Sequence, residues 1–223
     1  MMRHLYPYRF ELLFTTLLAV LFGSLLFPTA LFQEKVIHLF FLLNIIAGVV
    51  LVSKSKRMFR GYLLLLALGS MFFVYNAIEK LGIEPNQEIV RLAIYTVFYV
   101  LVTIELIRQV WRAKKVGKNV MMGLMSAYLS LGLISFLFFF AIELFSPGSF
   151  SGNLIANMGL GQKADALLYY SYVTMLTIGY GDIVPITPIA QKATMLCGLV
   201  GQFYIVIVTA VVVEKYIVHS KEV

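Results

Sequence analysis

Charged residues are scarce in this sequence, where Asp, Glu, Lys and Arg make up only 13% of the 223 positions. Soluble domains have roughly a quarter of their residues charged, so this composition argues against a freely soluble protein. What takes their place is hydrophobic, since 61% of the chain is apolar and its mean hydropathy is +0.89. Composition alone therefore predicts a membrane protein.

Cysteine is nearly absent, because Cys197 is the only one in the chain. A single cysteine excludes an intrachain disulfide and any metal cluster built from cysteines. The histidines (His4, His38 and His219) lie far apart, and no Ser/His/Asp set or phosphate-binding loop is present in the sequence. We therefore expect no enzyme. His38 is interpreted as a helix residue near the outer face, with a pH sensor as the alternative.

Long apolar runs dominate what is present. A helix needs about 20 mostly apolar residues to cross the hydrocarbon core, which is ~30 Å thick. Six runs approach this length, and all are expected to be helical because a helix satisfies its own backbone in lipid. They are about Phe10–Phe27, Val36–Val52, Gly61–Ile78, Glu88–Val110, Val120–Phe145 and Ile189–Val218. The first run is too long for a signal peptide and lacks a cleavage site, so we expect no cleaved leader.

The basic residues that give the net charge of +7 lie mainly in the breaks between these runs. With both termini inside, thirteen of the eighteen Lys and Arg residues lie on the inner side, and an odd number of spans would spoil this bias. The sequence therefore predicts six spans in the cell membrane (inner or plasma membrane), with cytoplasmic N- and C-termini. Topology explains the basic residues, and no nucleic-acid partner is expected. Anionic lipid is the alternative partner for one basic run, Arg112, Lys114, Lys115 and Lys118.

The interval between the fifth and sixth runs predicts a re-entrant loop. Ser146–Lys163 is rich in Gly, Ser and Asn, which predicts an exposed loop. Ala164–Leu176 is apolar and aromatic, but 13 residues of helix reach only ~20 Å, too short to span. A short helix followed by a glycine-bearing segment is tolerated at membrane depth when it is buried in protein or lines a water-filled path.

That glycine-bearing segment, Thr177–Asp182, reads TIGYGD. A cation can lose its water only if other groups replace it, because desolvation costs tens of kcal/mol. Consecutive backbone carbonyls can do so when the backbone alternates in conformation, and Gly179 and Gly181 permit the positive φ values that this needs. We expect stacked oxygen rings when four copies meet, with Ile178 and Tyr180 pointing away from the axis.

The stretch Tyr169–Asp182 resembles the pore signature of tetrameric potassium channels, most closely over Thr174–Asp182. Residues 120–218 resemble the family's pore module, and the whole plan is similar to its six-transmembrane type, in a prokaryotic form. The resemblance implies an all-α membrane protein with six transmembrane helices, a re-entrant pore helix and selectivity-filter loop between helices five and six, and a homotetramer. It implies a four-helix domain (1–111), a basic cytoplasmic linker (112–119) and a pore domain (120–223).

The same resemblance implies passive K⁺ conduction, with no cofactor other than K⁺ in the filter. The implied coordinating residues are Thr177, Ile178, Gly179, Tyr180 and Gly181. Asp182 and the pair Tyr169 and Tyr170 would form a cuff behind the filter, where the family often has Trp. Val173 replaces a carboxylate that some members pair with the aspartate, and Leu176 stands where many have a second Thr. These departures bear on inactivation and blocker sensitivity, not on K⁺ selectivity.

The sixth run carries two glycines, Gly198 and Gly201, and the resemblance makes them candidates for a hinge. Close helix packing is the alternative, since glycine is frequent in membrane helices. Thirty residues of helix span ~45 Å, so this run should tilt or project inward. Crossed helices would narrow the inner mouth, which gives three candidate residues for a hydrophobic gate: Ala210, Val213 and Ile217.

The fourth run lacks the repeated basic residues of a voltage sensor. No Lys or Arg lies between Arg91 and Arg108, which are ~25 Å apart along a helix. Steep voltage gating needs several moving charges per subunit, so we predict voltage-independent opening. Glu105 is three residues before Arg108 and is expected to form an interfacial ion pair with it.

Several interpretations remain open. Glu143 is expected to be a surface charge, with a filter-supporting carboxylate as the alternative. An uptake transporter would carry several degenerate pore loops, and a non-conducting regulatory subunit would be expected to corrupt the filter, whereas one intact loop is present. Only five residues follow Val218, so no cytoplasmic ligand-binding domain is expected there.

Overall fold

The structure, a computed structural model, describes residues 5–26, 36–53, 59–65, 67, 85–113, 117–155 and 158–220. Within these ranges it is almost entirely helical. The helices are α1 (Arg9–Phe22), α2 (Ile37–Val52), α3 (Pro85–Trp111), α4 (Lys118–Phe145), α5 (Leu160–Met175) and α6 (Pro188–Ser220). Two short strands, β1 (Phe150–Ser151) and β2 (Val184–Pro185), complete it. The chain divides into two compact units, Met1–Ala127 and Tyr128–Val223.

Four helical segments in the described ranges are long and apolar enough to cross a membrane. They are Tyr6–Leu25, Glu88–Trp111, Lys118–Phe145 and Pro188–Val211. They correspond to the first, fourth, fifth and sixth predicted spans. The second predicted span contains a shorter apolar helix, Leu39–Val52. In the third, residues 61–65 and 67 are helical and the rest lies outside the described residues, so the six-span topology stays a prediction.

In the first unit, α1 buries one face, whereas most of the second half of α2 is buried. On α1 the buried side chains recur at helical spacing, at Phe10, Leu13, Leu17 and Val20. A Cβ on Gly48 of α2 would lie 2.7 Å from the ring of Phe98 on α3, so the missing side chain lets these helices approach closely.

Polar contacts tie α1, α2 and α3 together near one end of this unit. The Arg9 guanidinium lies over the Tyr6 and Phe10 rings, and its Nε donates to Gln109 Oε1 at 2.8 Å. Gln109 in turn donates to the Leu51 carbonyl at 3.0 Å and to Glu105 Oε1 at 2.9 Å. Partly buried polar groups that are paired in this way help to hold neighbouring helices in one arrangement.

Both arginines of α3 pair with glutamates on the same helix. Arg91 contacts the buried Glu88, and Arg108 contacts Glu105 at 3.4 Å. The predicted Glu105–Arg108 pair is therefore confirmed. At the start of α4, Lys118 pairs with Glu11 of α1 at 3.2 Å.

The second unit contains most of α4, the whole of α5 and α6, and the two strands. The strands pair antiparallel, with Phe150 opposite Pro185 and Ser151 opposite Val184. This pairing joins the segment after α4 to the segment just before α6. The loop expected at 146–163 is therefore partly ordered and partly buried, because Ser149, Phe150 and Ile155 are covered and α5 already begins at Leu160.

Candidate functional site: the segment after the short helix

The short helix predicted before TIGYGD is confirmed as α5, which has 16 residues. At ~1.5 Å per residue it is ~24 Å long, less than a membrane span. Its last turn continues directly into the candidate filter through three backbone hydrogen bonds. Leu176 N–H donates to Tyr172 O at 2.8 Å, Thr177 N–H to Thr174 O at 3.0 Å, and Ile178 N–H to Val173 O at 3.0 Å.

This pattern is a Schellman motif, in which the residue two positions after the last helical one takes a left-handed conformation. Thr177 occupies that position, with φ of 58°. Glycine is the usual residue there, and a β-branched residue with positive φ is uncommon. The first residue of the candidate filter is therefore also the helix cap, so the end of α5 fixes where the filter begins.

Positive φ values alternate along the candidate filter. Thr177, Gly179 and Gly181 have φ of 58°, 59° and 81°. The positive φ values expected at the two glycines are thus confirmed, whereas the one at Thr177 was not foreseen. Alternation of this kind can turn consecutive carbonyls toward one side of the chain, which an ion-coordinating segment requires.

The candidate filter is open on its outside in a single chain. Ile178 is 47% exposed and Tyr180 is 71% exposed. Neither Gly179 nor Gly181 has a described heavy atom within 4 Å of the position where a Cβ would stand. The two side chains expected to brace the filter are therefore only partly covered by the described part of their own chain.

Asp182, directly after the filter, accepts hydrogen bonds at both carboxylate oxygens. The Tyr169 hydroxyl donates to Oδ2 at 2.7 Å, and the N–H of Ile183 donates to Oδ1 at 3.1 Å. The hydrogen bond to Asp182 is the main cause that raises the pKa of Tyr169 to about 12. Like any tyrosine hydroxyl, it is protonated at neutral pH, and here it is used as the donor to Asp182.

Tyr170 makes different contacts from its neighbour. Its hydroxyl lies 3.0 Å from Thr194 Oγ1 on α6, and its ring packs against Phe139 and Phe150. Tyr169 alone of the pair therefore reaches Asp182. Tyr170 instead joins α5 to α4, β1 and α6.

The expectation that Glu143 is a surface charge is wrong. Glu143 is 2% exposed and binds Lys163 Nζ at 2.7 Å through Oε1. Its carboxylate also accepts the N–H groups of Gly148, Ser149 and Phe150, at 3.1, 3.0 and 3.4 Å. The chain turns back over the end of α4 directly after Glu143, so backbone donors and one ammonium replace the water that a surface carboxylate would have.

The loop held by Glu143 contacts the Asp182 end of the candidate filter. A Cβ on Gly152, whose φ is 151°, would overlap the carbonyl oxygen of Asp182. Ser149 O accepts the N–H of Ile186 at 2.8 Å, next to the paired strands. Glu143 therefore acts on this segment through the loop and not by direct contact.

On α6, the two glycines differ. A Cβ on Gly201 would lie 2.7 Å from Met175 O and 3.1 Å from Met175 Cα, whereas Gly198 has no described atom within 4 Å of that position. Close packing thus accounts for Gly201, and the hinge at either glycine stays a prediction. Ala210 is exposed on α6. Val213 and Ile217 lie where the structure describes the helix but not the side chains, so the gate stays a prediction too.

The basic run predicted as a lipid contact is only partly described. Arg112 is exposed, and Lys118 keeps 76% of its side chain exposed beside Glu11. Lys114 and Lys115 lie outside the described residues.

Residues 134–217 match the model of a protein family described as ion channel. Over 86 residues, which are 39% of this chain, the chain is 29% identical to potassium voltage-gated channel subfamily A member 6 of Homo sapiens, and it covers 16% of that protein. Over the same length it is 30% identical to subfamily A member 4 of Mustela putorius furo and covers 13% of it. No solved structure matches the chain. The chain spans less than a fifth of the length of these relatives, and the residues that match the ion-channel family model contain α5, the TIGYGD segment and most of α6.

Proposed function

We propose that this chain is one subunit of a homotetrameric, potassium-selective channel whose filter is Thr177–Gly181. Potassium channel activity is supported by the ion-channel match over residues 134–217 and by relatives named as potassium channels. In the proposal, carbonyl oxygens of Thr177, Ile178, Gly179 and Tyr180 and the Thr177 hydroxyl replace the water around K⁺. Transport is passive, so no enzymatic step is involved.

The observation that carries the proposal is the alternation of positive φ at Thr177, Gly179 and Gly181 directly after α5. A segment in this conformation presents its carbonyls as a short ladder. One ladder leaves most of the surface of an ion uncovered, and four ladders around an axis complete the coordination. The function therefore requires four copies of the chain.

A second copy is also the occupant best suited to the exposed apolar side chains near the filter. Ile178 and Tyr180 are exposed beside backbone that needs shielding from lipid. Much of α6 is exposed as well, including Met195, Leu199 and Phe203. Neighbouring subunits would cover the filter and part of α6, and lipid would cover the rest.

The remaining expectations form part of the same proposal. They comprise a six-span subunit in the cell membrane with both termini cytoplasmic, voltage-independent opening, a hinge at Gly198 or Gly201, and an inner gate among Ala210, Val213 and Ile217. Anionic lipid would bind the basic run at Arg112–Lys118. Asp182 and Tyr169 would support the filter from outside, with Tyr170 packed behind them.

Vesicles that hold the purified protein test the proposal by K⁺ and Na⁺ flux. We expect K⁺ flux well above Na⁺ flux in the wild type, and loss of this preference in Gly179→Asp. Asp tolerates positive φ better than most residues, and no described atom crowds that position, so the variant should still fold. The matched control is Gly161→Ala, on the exposed first turn of α5, where the added Cβ has no described neighbour.

Equal K⁺ and Na⁺ flux in the wild type would contradict selectivity. An unchanged preference for K⁺ over Na⁺ in Gly179→Asp would contradict the assignment of Thr177–Gly181 as the filter. A stable monomer or dimer in native mass measurements of the functional protein would contradict the tetramer.

A further inference from the structure

Two tyrosines join α4 and α5 with hydrogen bonds that run in opposite directions. Tyr172 on α5 donates its hydroxyl to the Leu129 carbonyl of α4 at 2.6 Å. Tyr128 on α4 donates its hydroxyl to the Met175 carbonyl of α5 at 3.3 Å. Because Tyr128 and Leu129 are adjacent and Tyr172 and Met175 are one turn apart, the two bonds form a reciprocal contact, which we call the tyrosine clasp.

Gly132 makes the clasp possible. A Cβ at this position would overlap the Tyr172 ring, so the ring lies directly on the backbone of α4. Tyr172 reaches the Leu129 carbonyl only because it can come this close. An alanine at position 132 would have to push the ring, and with it the last turn of α5, away from α4.

The other side of the same helix end is also held. Met175 is fully buried, and its backbone lies so close to α6 that a Cβ on Gly201 would be 2.7 Å from its carbonyl oxygen. The Ser135 hydroxyl lies 3.6 Å from the Met175 sulfur. The last residue of α5 is therefore fixed between α4 and α6.

Any movement of that helix end would pass directly to the filter. The Tyr172 carbonyl accepts the N–H of Leu176, and the next two filter-side N–H groups also bond to the last turn of α5. Thr177, the innermost proposed ligand, is the cap of this turn. A small shift of the cap changes where its carbonyl and hydroxyl stand, and coordination distances decide which cation fits.

We propose that Tyr172, Tyr128 and Gly132 are positioning residues for the inner K⁺ site. Through the clasp, the backbone of α4 sets the position of Thr177 and so contributes to the discrimination between K⁺ and Na⁺. This inference rests on the proposed channel function. The sequence pattern did not indicate the clasp, because Tyr172 and Gly132 are 40 residues apart in a chain with 13 tyrosines and 16 glycines.

The test compares Tyr172→Phe, Tyr128→Phe and Gly132→Ala with the wild type in planar bilayers, where the K⁺/Na⁺ permeability ratio follows from the reversal potential. Phe at 172 fills the same space beside Gly132 and loses only the hydroxyl. We expect the ratio to fall about tenfold in Tyr172→Phe, consistent with loss of one buried hydrogen bond, and at least as much in Gly132→Ala. Tyr8→Phe and Gly161→Ala, at exposed positions without described hydrogen bonds or crowding, should keep the wild-type ratio.

A wild-type permeability ratio in Tyr172→Phe would overturn the proposal, even if the variant unfolds at a lower temperature. An unchanged ratio with lower stability would show that the Tyr172 hydroxyl contributes only to the stability of the fold. If Gly132→Ala does not fold, the permeability ratio of Tyr172→Phe still tests whether the clasp positions the inner K⁺ site. If the wild type shows no preference for K⁺, the channel proposal itself fails, which is seen before any variant is compared.

Discussion

At the scale of single residues, Thr177 combines two demands that usually fall on different amino acids. Its backbone, at φ of 58°, caps α5 in a conformation that favours glycine. Its hydroxyl donates to the Leu176 carbonyl at 2.7 Å, which leaves the oxygen lone pairs free to face a cation. A strained conformation of this kind costs about 1–3 kcal/mol and persists where the surroundings determine it, often at functional sites. We therefore propose that the Thr177 side chain acts through its oxygen and not through the fold.

The hydroxyl can be tested separately from the backbone. Thr177→Val keeps the shape and the strained φ but removes the oxygen, so we expect the K⁺/Na⁺ flux ratio in vesicles to fall about tenfold. Thr177→Ser keeps the oxygen and should stay within about twofold of the wild type. Thr15→Val serves as the control, because Thr15 also donates its hydroxyl to a backbone carbonyl, but on α1. An equal ratio in Thr177→Val and Thr177→Ser would exclude the hydroxyl as a ligand.

At the scale of secondary structure, apolar runs were sufficient to predict α4, α5 and α6 because membrane helices must be long and apolar, and a re-entrant helix must be short. The same reasoning missed β1 and β2, since two-residue strands have no periodicity to detect. It also misplaced Glu143, because the groups that bury this carboxylate come from the loop that follows and from Lys163, 20 residues later. The turn residues after Glu143, at 147–149, were the available signal. The contact between Tyr172 and Gly132 left no such signal in the sequence.

The Glu143–Lys163 pair should stabilise the loop that contacts the Asp182 end of the candidate filter. Breaking a buried ion pair by removing one partner costs about 3–5 kcal/mol, and less here because 23% of the Lys163 side chain is exposed and can turn to water. We expect Glu143→Gln to lower the free energy of unfolding by about 2 kcal/mol, measured by denaturant titration in detergent.

A double-mutant cycle separates this pair from general effects of charge. Glu143→Gln combined with Lys163→Gln should cost little more than Glu143→Gln alone, because the two side chains act as one unit. Lys192→Gln, at an exposed lysine on α6, should change stability by less than about 0.5 kcal/mol. Additive effects of the two pair mutations would contradict the coupling.

At the scale of the whole molecule, α3 bears on the proposed voltage independence. Each of its two arginines is paired with a glutamate on the same helix, Arg91 with Glu88 and Arg108 with Glu105. A displacement of α3 would carry each pair together, so almost no net charge would cross the membrane field. Two observations thus favour voltage-independent opening. One is this pairing, and the other is the absence of basic residues between Arg91 and Arg108.

Single-channel recordings in symmetric K⁺ at −100 and +100 mV test this expectation. A single elementary charge crossing the field would contribute about 4.6 kcal/mol over that 200 mV, more than a thousandfold in the opening equilibrium. We expect the open probability to change less than about tenfold between the two voltages, because the net charge that α3 can move is close to zero. Replacing both partners, Arg91→Gln together with Glu88→Gln, should leave this weak dependence unchanged, because the double replacement removes the pair without changing the net charge of α3. A steep voltage dependence in the wild type that disappears in Arg91→Gln would instead identify Arg91 as a gating charge and overturn the assignment of α3 as electrically silent.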